Sequence, residues 1–199
     1  MRRTSAIRNL RALAEGCERA NPPTTDPILL EVFAYGRVLE PDIDDLRLVD
    51  VAMVLDRPVE DVTWWALPSE SRWFTYVLRL DKVPVRVQWR PALWPVWNHE
   101  IRRPLRIWSL NGGADTEALE ALAADDVEHL RLAEPGPDDE AEQLAVELDA
   151  SLANLRRARD RWDDREWRRA HQGDGSDPSV HLWRAVHGYL DLLDATRQR

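Results

Sequence analysis

Two apolar, β-branched segments near the start of the chain constrain its fold more than any other feature. Residues Leu29–Val38 read "LLEVFAYGRV", residues Leu46–Leu55 read "LRLVDVAMVL", and the acidic segment "EPDIDD" separates them. Alternate residues of a strand point to the same face. The second segment therefore places four apolar side chains on one side: Val49, Val51, Met53 and Leu55. This pattern predicts two neighbouring strands with a buried face.

Further segments extend this predicted sheet. Residues Val83–Trp89 alternate between apolar side chains and the polar pair Arg86 and Gln88, which is typical of a half-covered strand. The preceding segment, Ser69–Leu80, fits either a strand or an amphipathic helix. We favour the helix because neighbouring parallel strands need a crossover connection. Residues Leu105–Leu110 are predicted to form a last strand.

Five other elements are predicted around the sheet. An amphipathic helix begins the chain and carries its apolar face at Ile7, Leu10, Leu13 and Ala14. The remaining four are a helix from Pro58 to Pro68, a short helix around Trp97–Arg102, a helix over Thr116–Ala124 and an edge strand over 126–132.

A segment rich in proline, glycine and acids, "AEPGPDD", divides the chain. Beyond it, the spacing of Leu144, Leu148, Leu152 and Leu155 predicts one long amphipathic helix, and Val180–Ala195 predicts a second. We therefore predict an α/β domain over residues 1–134, with a mixed β-sheet and flanking helices, followed by a C-terminal helical hairpin over residues 135–199.

The composition excludes several classes of function. No apolar run approaches 18 residues, which argues against a membrane span. The single cysteine, Cys17, excludes an internal disulfide and is typical of a reducing cytoplasm. The formal net charge of −9 argues against non-specific DNA binding, because neutralising phosphates supplies most of that affinity.

The segment "LLEVFAYGRVLEPDIDDLRLVDVAMVLD" resembles the start of the nucleotidyltransferase fold of the DNA polymerase β superfamily. In that family a glycine–serine pair follows the first strand and approaches the nucleotide phosphates. Two carboxylates at i and i+2 on the second strand, and a third on a neighbouring strand, hold magnesium. The glycine corresponds to Gly36, whereas Arg37 stands in the place of the serine. The resemblance extends over 29–110.

The carboxylates of this pattern are incomplete. Asp50 has the right place on the second strand, but its i+2 partner is Ala52. Asp42 and Asp44 have the right spacing, but they lie close to Gly36 in a turn led by proline. One strand-borne carboxylate is too few for the metal ions of nucleotidyl transfer. The pattern therefore favours a protein without catalytic activity and predicts no cofactor. The candidate catalytic residues are Asp42, Asp44 and Asp50, and Mg²⁺ is expected only if they form an active site.

The third carboxylate of the family pattern would come from Val83–Trp89, where Arg86 and Gln88 form the polar face. We predict that Asp50 and Arg86 face the same cleft and that the guanidinium pairs with the carboxylate in place of a metal. This would make the chain a pseudo-enzyme. An ordinary pair on the surface of the sheet is the alternative, and it stays open.

The segment "WPVWNHEIRRPLRIW" provides a candidate binding surface, because aromatic rings interleaved with arginines can hold a nucleotide. Its candidate residues are Trp94, Trp97, His99, Arg102 and Arg103, and they join Gly36, Arg37, Asp50 and Arg86 in one candidate set. Tryptophans that close the core, with arginines that coat it, are the alternative interpretation.

Three functions remain open at this point. The first is a catalytically degenerate nucleotidyltransferase-like protein that binds a nucleotide or a protein partner. The second is an active nucleotidyltransferase of toxin–antitoxin type. The third is a structural interaction protein that dimerises through the helical hairpin. The chain is also similar to an actinobacterial protein family without an established activity, which implies a bacterial, cytoplasmic protein.

Overall fold

The computed structural model describes residues 1–21, 28–41, 43, 45–170 and 177–198. Its strands are β1 (Leu29–Tyr35), β2 (Val49–Leu55), β3 (Val85–Pro91), β4 (Leu105–Ser109) and β5 (Gly113–Ala114). Its α-helices are α1 (Arg3–Cys17), α2 (Ser71–Val77), α3 (Thr116–Ala123), α4 (Pro137–Asp163), α5 (Arg165–Ala170) and α6 (Pro178–Arg197). These elements form an α/β structure, as predicted.

The five strands form one mixed sheet in the order β3–β2–β1–β4–β5. The central strand β1 is antiparallel to both β2 and β4, whereas β2 and β3 are parallel. Helix α2 connects these two parallel strands, so the helical interpretation of Ser69–Leu80 is correct. Strand β1 ends at Tyr35, earlier than predicted, because a 3₁₀ turn over Gly36–Leu39 follows it.

Helices cover both faces of the sheet. One face carries Val49, Val51, Met53 and Leu55, as predicted, and they belong to the larger hydrophobic core together with buried residues of α1, α2 and α3. The opposite face carries a smaller core of Phe33, Tyr35, Ala52 and Val54, which packs against Leu144 of α4 and Leu192 of α6. Residues 50, 52 and 54 therefore point toward α4 and α6.

Three predicted elements are wrong. The helix begun at Pro58 is a single 3₁₀ turn over Val59–Asp61, because the backbone leaves the helical region at Val62, with φ −131° and ψ 38°, and again at Trp65, with φ 63°. Trp97–Arg102 is not helical, since the Asn98 side chain accepts hydrogen bonds from the backbone N–H groups of Glu100 and Ile101. Residues 126–132 contain a 3₁₀ turn over Glu128–Leu130, and β5 takes the edge of the sheet.

Helices α4 and α6 pack against each other and against the sheet. The residues 171–176 that would connect the predicted hairpin lie outside the described part of the chain. A fully buried ion pair joins α4 to β3, where Arg90 Nη2 lies 2.5 Å from Glu147 Oε1. Burial alone would raise the pKa of Glu147, but the charge and hydrogen bonds of Arg90 hold it below its ordinary value. None of the described helices is long and apolar enough to cross a membrane.

Candidate functional site

The glycine that follows β1 lies against the acidic residue of β2. Gly36 has a φ of 69°, in the left-handed region that favours glycine. A Cβ atom at this position would lie 3.3 Å from Asp50 Oδ2. The preceding residue, Tyr35, pairs with Asp50 across the β1–β2 ladder. One end of the sheet thus brings the glycine turn and the carboxylate together.

Arg86 occupies the space beside this carboxylate. Asp50 and Arg86 are partners in the register of the parallel strands β2 and β3, so their side chains leave the same face. Arg86 Nε donates a hydrogen bond to Asp50 Oδ1 at 2.6 Å. Arg86 Nη2 donates to Glu100 Oε1 at 2.5 Å. The predicted contact of Asp50 with Arg86 is present, and Glu100 completes a cluster of three residues, which we call the Arg86 clamp.

Burial controls the protonation of the Arg86 clamp. It raises the pKa of Asp50 and outweighs the opposing hydrogen bond and charge of Arg86. Burial also raises the pKa of Glu100; Arg86 opposes this, and the charges of Asp191 and Asp50 reinforce it. Burial alone would lower the pKa of Arg86, but the hydrogen bond to Asp50 and the charges of Glu100 and Asp50 raise it. Arg86 therefore stays protonated, while Asp50 and Glu100 take up a proton more readily than exposed carboxylates do.

The Arg86 clamp does not fit a magnesium site. Mg²⁺ requires octahedral oxygen ligands at short distances, with one or two carboxylates free to coordinate it. Here a guanidinium already bonds both carboxylates and would repel a divalent cation. Within the described residues, no group of three or more His, Cys, Asp or Glu side chains could hold a metal ion. The donor set thus disagrees with the metal that the nucleotidyltransferase resemblance implies.

The structure places only one of three further candidates, Arg37, Asp42 and Asp44. Asp42 and Asp44 lie outside the described residues. Arg37, which replaces the serine of the family pattern, is exposed to solvent. The glycine of the pattern is therefore present at the site, whereas the residue in the place of its serine is an exposed arginine.

A second polar cluster lies next to Glu100, where α6 meets the sheet. Trp64 Nε1 donates to Asp191 Oδ2 at 2.6 Å, and His99 Nε2 lies 3.5 Å from the same oxygen. The His99 and Trp64 rings also meet edge to face, with their centroids 5.2 Å apart. Contact with His99, opposed by burial and reinforced by Trp64, lowers the pKa of Asp191 to about 2. His99 therefore contacts α6, whereas its neighbour Glu100 turns to Arg86.

Several deeply buried polar groups on this face of the sheet have no hydrogen-bond partner among the described residues, and two of them lie close to Asp50 and Arg86 along β1 and β3. These two are the Tyr35 hydroxyl and Gln88 Nε2, in residues that are 1% and 2% exposed. Burial raises the pKa of Tyr35, and the charges of Glu100 and Asp50 raise it further. A buried polar group without a partner costs about 1–3 kcal/mol. The unpaired Tyr35 hydroxyl and Gln88 amide near the Arg86 clamp therefore lower the stability of the folded protein.

Trp94 and Trp97 line a cleft of about 600 Å³ that contains none of the clamp residues. The cleft is largely apolar, and its other hydrophobic residues include Phe33, Val54, Val96, Leu130 and Leu132. Trp108, by contrast, is buried in the core. Trp94 and Trp97 thus line a cleft, as the binding-surface interpretation predicts, whereas Trp108 closes the core, as the alternative interpretation predicts.

Carboxylates neutralise the arginines of the same segment. Arg102 pairs with Glu134 at 3.4 Å and with Glu140 at 3.0 Å, and Arg103 pairs with Glu128. Arg106, which lines the cleft, lies 3.3 Å from Glu31. These contacts leave the surface around Trp94 and Trp97 with little positive charge for a phosphate.

Two features were not predicted from the sequence. The first is Glu100, which forms an ion pair with Arg86. A second cavity, of about 440 Å³, lies between the loop before α2 and the helices α4, α5 and α6. Arg157 and Arg161 line it, and their i, i+4 spacing on a helix was the available signal.

The chain belongs to the protein family described as "Domain of unknown function (DUF7711)", whose model matches residues 1–198. No curated protein matches it. A crystal structure of a "putative nucleotidyltransferase" from Sulfolobus solfataricus is similar at 18% sequence identity and a TM-score of 0.40. The similarity covers 57% of this chain and 91% of that one.

Proposed function

We propose that this member of the DUF7711 family is a catalytically degenerate, nucleotidyltransferase-like protein that binds a nucleotide or a protein partner without transferring a nucleotide. The observation that carries the proposal is the position of the Arg86 guanidinium between Asp50 and Glu100, at 2.6 and 2.5 Å. In the family that the sequence resembles, the carboxylate beside the glycine turn coordinates the metal ions. Here the cation beside it belongs to the chain itself.

The chemistry of the guanidinium explains why the proposed role is not catalytic. A guanidinium stays charged at any ordinary pH, so Arg86 neutralises the carboxylates permanently. It has no vacant coordination position, so it cannot bind a water or hydroxyl group and lower its pKa as a metal ion does. A metal would also have to displace two charge-assisted hydrogen bonds, each worth about 1.5–3 kcal/mol.

The enzymatic alternative requires Asp42, Asp44 and Asp50 to assemble around Mg²⁺. This arrangement would require Arg86 to leave Asp50, because the guanidinium bonds the one carboxylate that lies on a strand. The two hypotheses therefore differ in a measurable way. A divalent cation should bind to the folded protein and stabilise it only if the enzymatic arrangement forms.

The test is the thermal stability of the protein with Mg²⁺ or Mn²⁺ and each nucleoside triphosphate, singly and together. A ligand that binds only the folded state stabilises it by about 2.7 kcal/mol at a hundredfold excess over its Kd. We expect no shift with metal alone and the same nucleotide shift with and without metal. The Asp50→Asn variant identifies the site of any metal effect, because it removes the one strand-borne carboxylate that a metal ion would need. A shift that requires metal and disappears in Asp50→Asn would refute the proposal.

One observation favours a second candidate function, self-association through α6. Trp183, Val186 and Leu190 are 57%, 38% and 48% exposed, and their i, i+3, i+7 spacing forms an apolar stripe. A twofold axis across the stripe would set it against the same stripe of a second copy, as in an isologous dimer.

The oligomeric state tests this second candidate. Light scattering during gel filtration should find a dimer that becomes a monomer in Trp183→Ala/Leu190→Ala. Tyr76→Ala is the matched control, because Tyr76 is 80% exposed on another helix. A monomeric wild-type protein at high concentration would exclude self-association through α6.

A further inference from the structure

We propose that the cavity between the loop before α2 and the helices α4, α5 and α6 binds a nucleoside monophosphate through its phosphate, sugar and base. Its volume is about 440 Å³, within the range of about 300–1,000 Å³ that small-molecule sites occupy. The inference rests on the proposed binding function for the class of ligand, but it uses no residue of the Arg86 clamp. We call this cavity the α4–α6 cavity.

Two arginines of α4 provide the phosphate contacts. Arg157 and Arg161 are one turn apart and line the α4–α6 cavity together. Arg157 Nη2 donates to the backbone oxygen of Glu60 at 2.6 Å, which fixes one side of its guanidinium and leaves its other donors available. Among the described residues no carboxylate forms an ion pair with either arginine. Two unneutralised arginines are matched to a phosphate, whose oxygens accept bidentate hydrogen bonds.

This charge arrangement differs from the Trp94–Trp97 cleft. In that cleft Arg106 is paired with Glu31, and the arginines that follow Trp97 in the sequence have carboxylate partners. Of these two sites, the α4–α6 cavity is therefore the one with a cation available for an anionic ligand. The cation is available there even though the chain as a whole carries a formal net charge of −9.

Aromatic rings provide a surface for the base. Trp167 of α5 and His181 of α6 line the α4–α6 cavity, with their ring centroids 5.8 Å apart in an edge-to-face arrangement. The Arg161 guanidinium lies 5.9 Å from the Trp167 ring centroid, so cation and ring adjoin. Stacking of a base on an aromatic side chain contributes about 1–3 kcal/mol and tolerates any base.

Two carboxylates can accept hydrogen bonds from the hydroxyl groups of the sugar. Glu60 and Asp61 line the same cavity with exposed side chains. Carboxylates are acceptors for ribose hydroxyl groups, as in dinucleotide-binding folds. They also limit the net positive charge of the cavity, which favours a monophosphate over a triphosphate. The lining thus offers one type of group for each part of a nucleoside monophosphate.

The experiment is calorimetric titration of the full chain, without metal, with the four ribonucleoside 5′-monophosphates, with adenosine and with inorganic phosphate. Every monophosphate should bind, and adenosine and phosphate should each bind more weakly than adenosine monophosphate. Arg161→Gln should weaken binding by about tenfold or more, because it removes a charge-assisted contact. The matched control is Arg159→Gln, an exposed arginine of the same helix that pairs with Asp160 outside the cavity.

The outcomes separate this inference from the proposed function. If the Asp50→Asn variant abolishes nucleotide binding and Arg161→Gln does not, the ligand lies at the Arg86 clamp and the inference is wrong. Equal losses in Arg161→Gln and Arg159→Gln would also overturn it, as would the absence of binding by every monophosphate. If no monophosphate binds, the proposed non-catalytic function is still tested separately, by the thermal stability measured with Mg²⁺ or Mn²⁺. Loss of nucleotide-dependent tryptophan quenching in Trp167→Phe provides a second readout in a conservative variant.

Discussion

Removal of the Arg86 side chain should destabilise the protein in a pH-dependent way. Arg86→Ala deletes two charge-assisted hydrogen bonds, to Asp50 at 2.6 Å and to Glu100 at 2.5 Å. Bonds to charged groups contribute about 1.5–3 kcal/mol each, or about 3–6 kcal/mol for the pair. The Arg86 side chain is 35% exposed, so solvent screening reduces this total. We expect a loss of about 2–3 kcal/mol near neutral pH.

The pH dependence follows from the two remaining carboxylates. The pKa values of Asp50 and Glu100 are already raised in the folded protein, so their unfavourable contribution develops as the pH rises above their unfolded pKa values. Without the opposing charge of Arg86, both pKa values should rise further. The stability deficit of Arg86→Ala should therefore be larger at about pH 7.5 than at about pH 4.5, where protonation relieves the repulsion.

The assay is urea denaturation at both pH values, followed by tryptophan fluorescence, with ΔG obtained from the midpoint and slope. Arg37→Ala is the control, because Arg37 is an exposed arginine near the same end of the sheet. Exposed substitutions of this kind usually change stability by about 0.5 kcal/mol or less. An Arg86→Ala variant as stable as the wild type, or a deficit equal at both pH values, would refute the reasoning.

Three further predictions concern other parts of the fold. Glu147→Gln should lower the free energy of unfolding by about 3–5 kcal/mol, because it leaves Arg90 buried without its anion; urea denaturation measures this, and Arg90→Met/Glu147→Leu should recover most of the loss. Gly36→Ala should cost about 1–2 kcal/mol in the same assay, since a φ of 69° disfavours a Cβ atom, and a neutral effect would contradict the turn geometry. Cys17 should resist iodoacetamide in the native protein and react once urea unfolds it, because burial raises the pKa of its thiol to about 12; rapid native labelling would be the contrary result.

The regular parts of the fold could be predicted from local patterns. Strand β2 was predictable because Val49, Val51 and Met53 recur with the period of a strand. The contact of Asp50 with Arg86 followed from the same pattern, since parallel neighbours in register project their side chains to one face. These predictions depend on residues whose positions repeat along the chain.

The rest depends on irregular segments and on distant contacts, which carry no such period. Glu100 reaches Arg86 from a loop that the Asn98 side chain shapes, and the sequence suggested a helix there instead. Arg90 and Glu147 are 57 residues apart, so nothing local indicates their pairing. The tryptophan-rich segment was also ambiguous, because neighbouring tryptophans have different environments. Trp94 lines a cleft, whereas Trp108 is buried in the core.

The most direct test of the proposed function is a crystal structure of the protein soaked with Mn²⁺ and a non-hydrolysable nucleoside triphosphate. The anomalous signal of manganese locates the ion without ambiguity. We expect no manganese at Asp50 and the guanidinium of Arg86 still bonded to Asp50 and Glu100. Manganese coordinated by Asp50, with Arg86 displaced, would contradict the account and support an active nucleotidyltransferase.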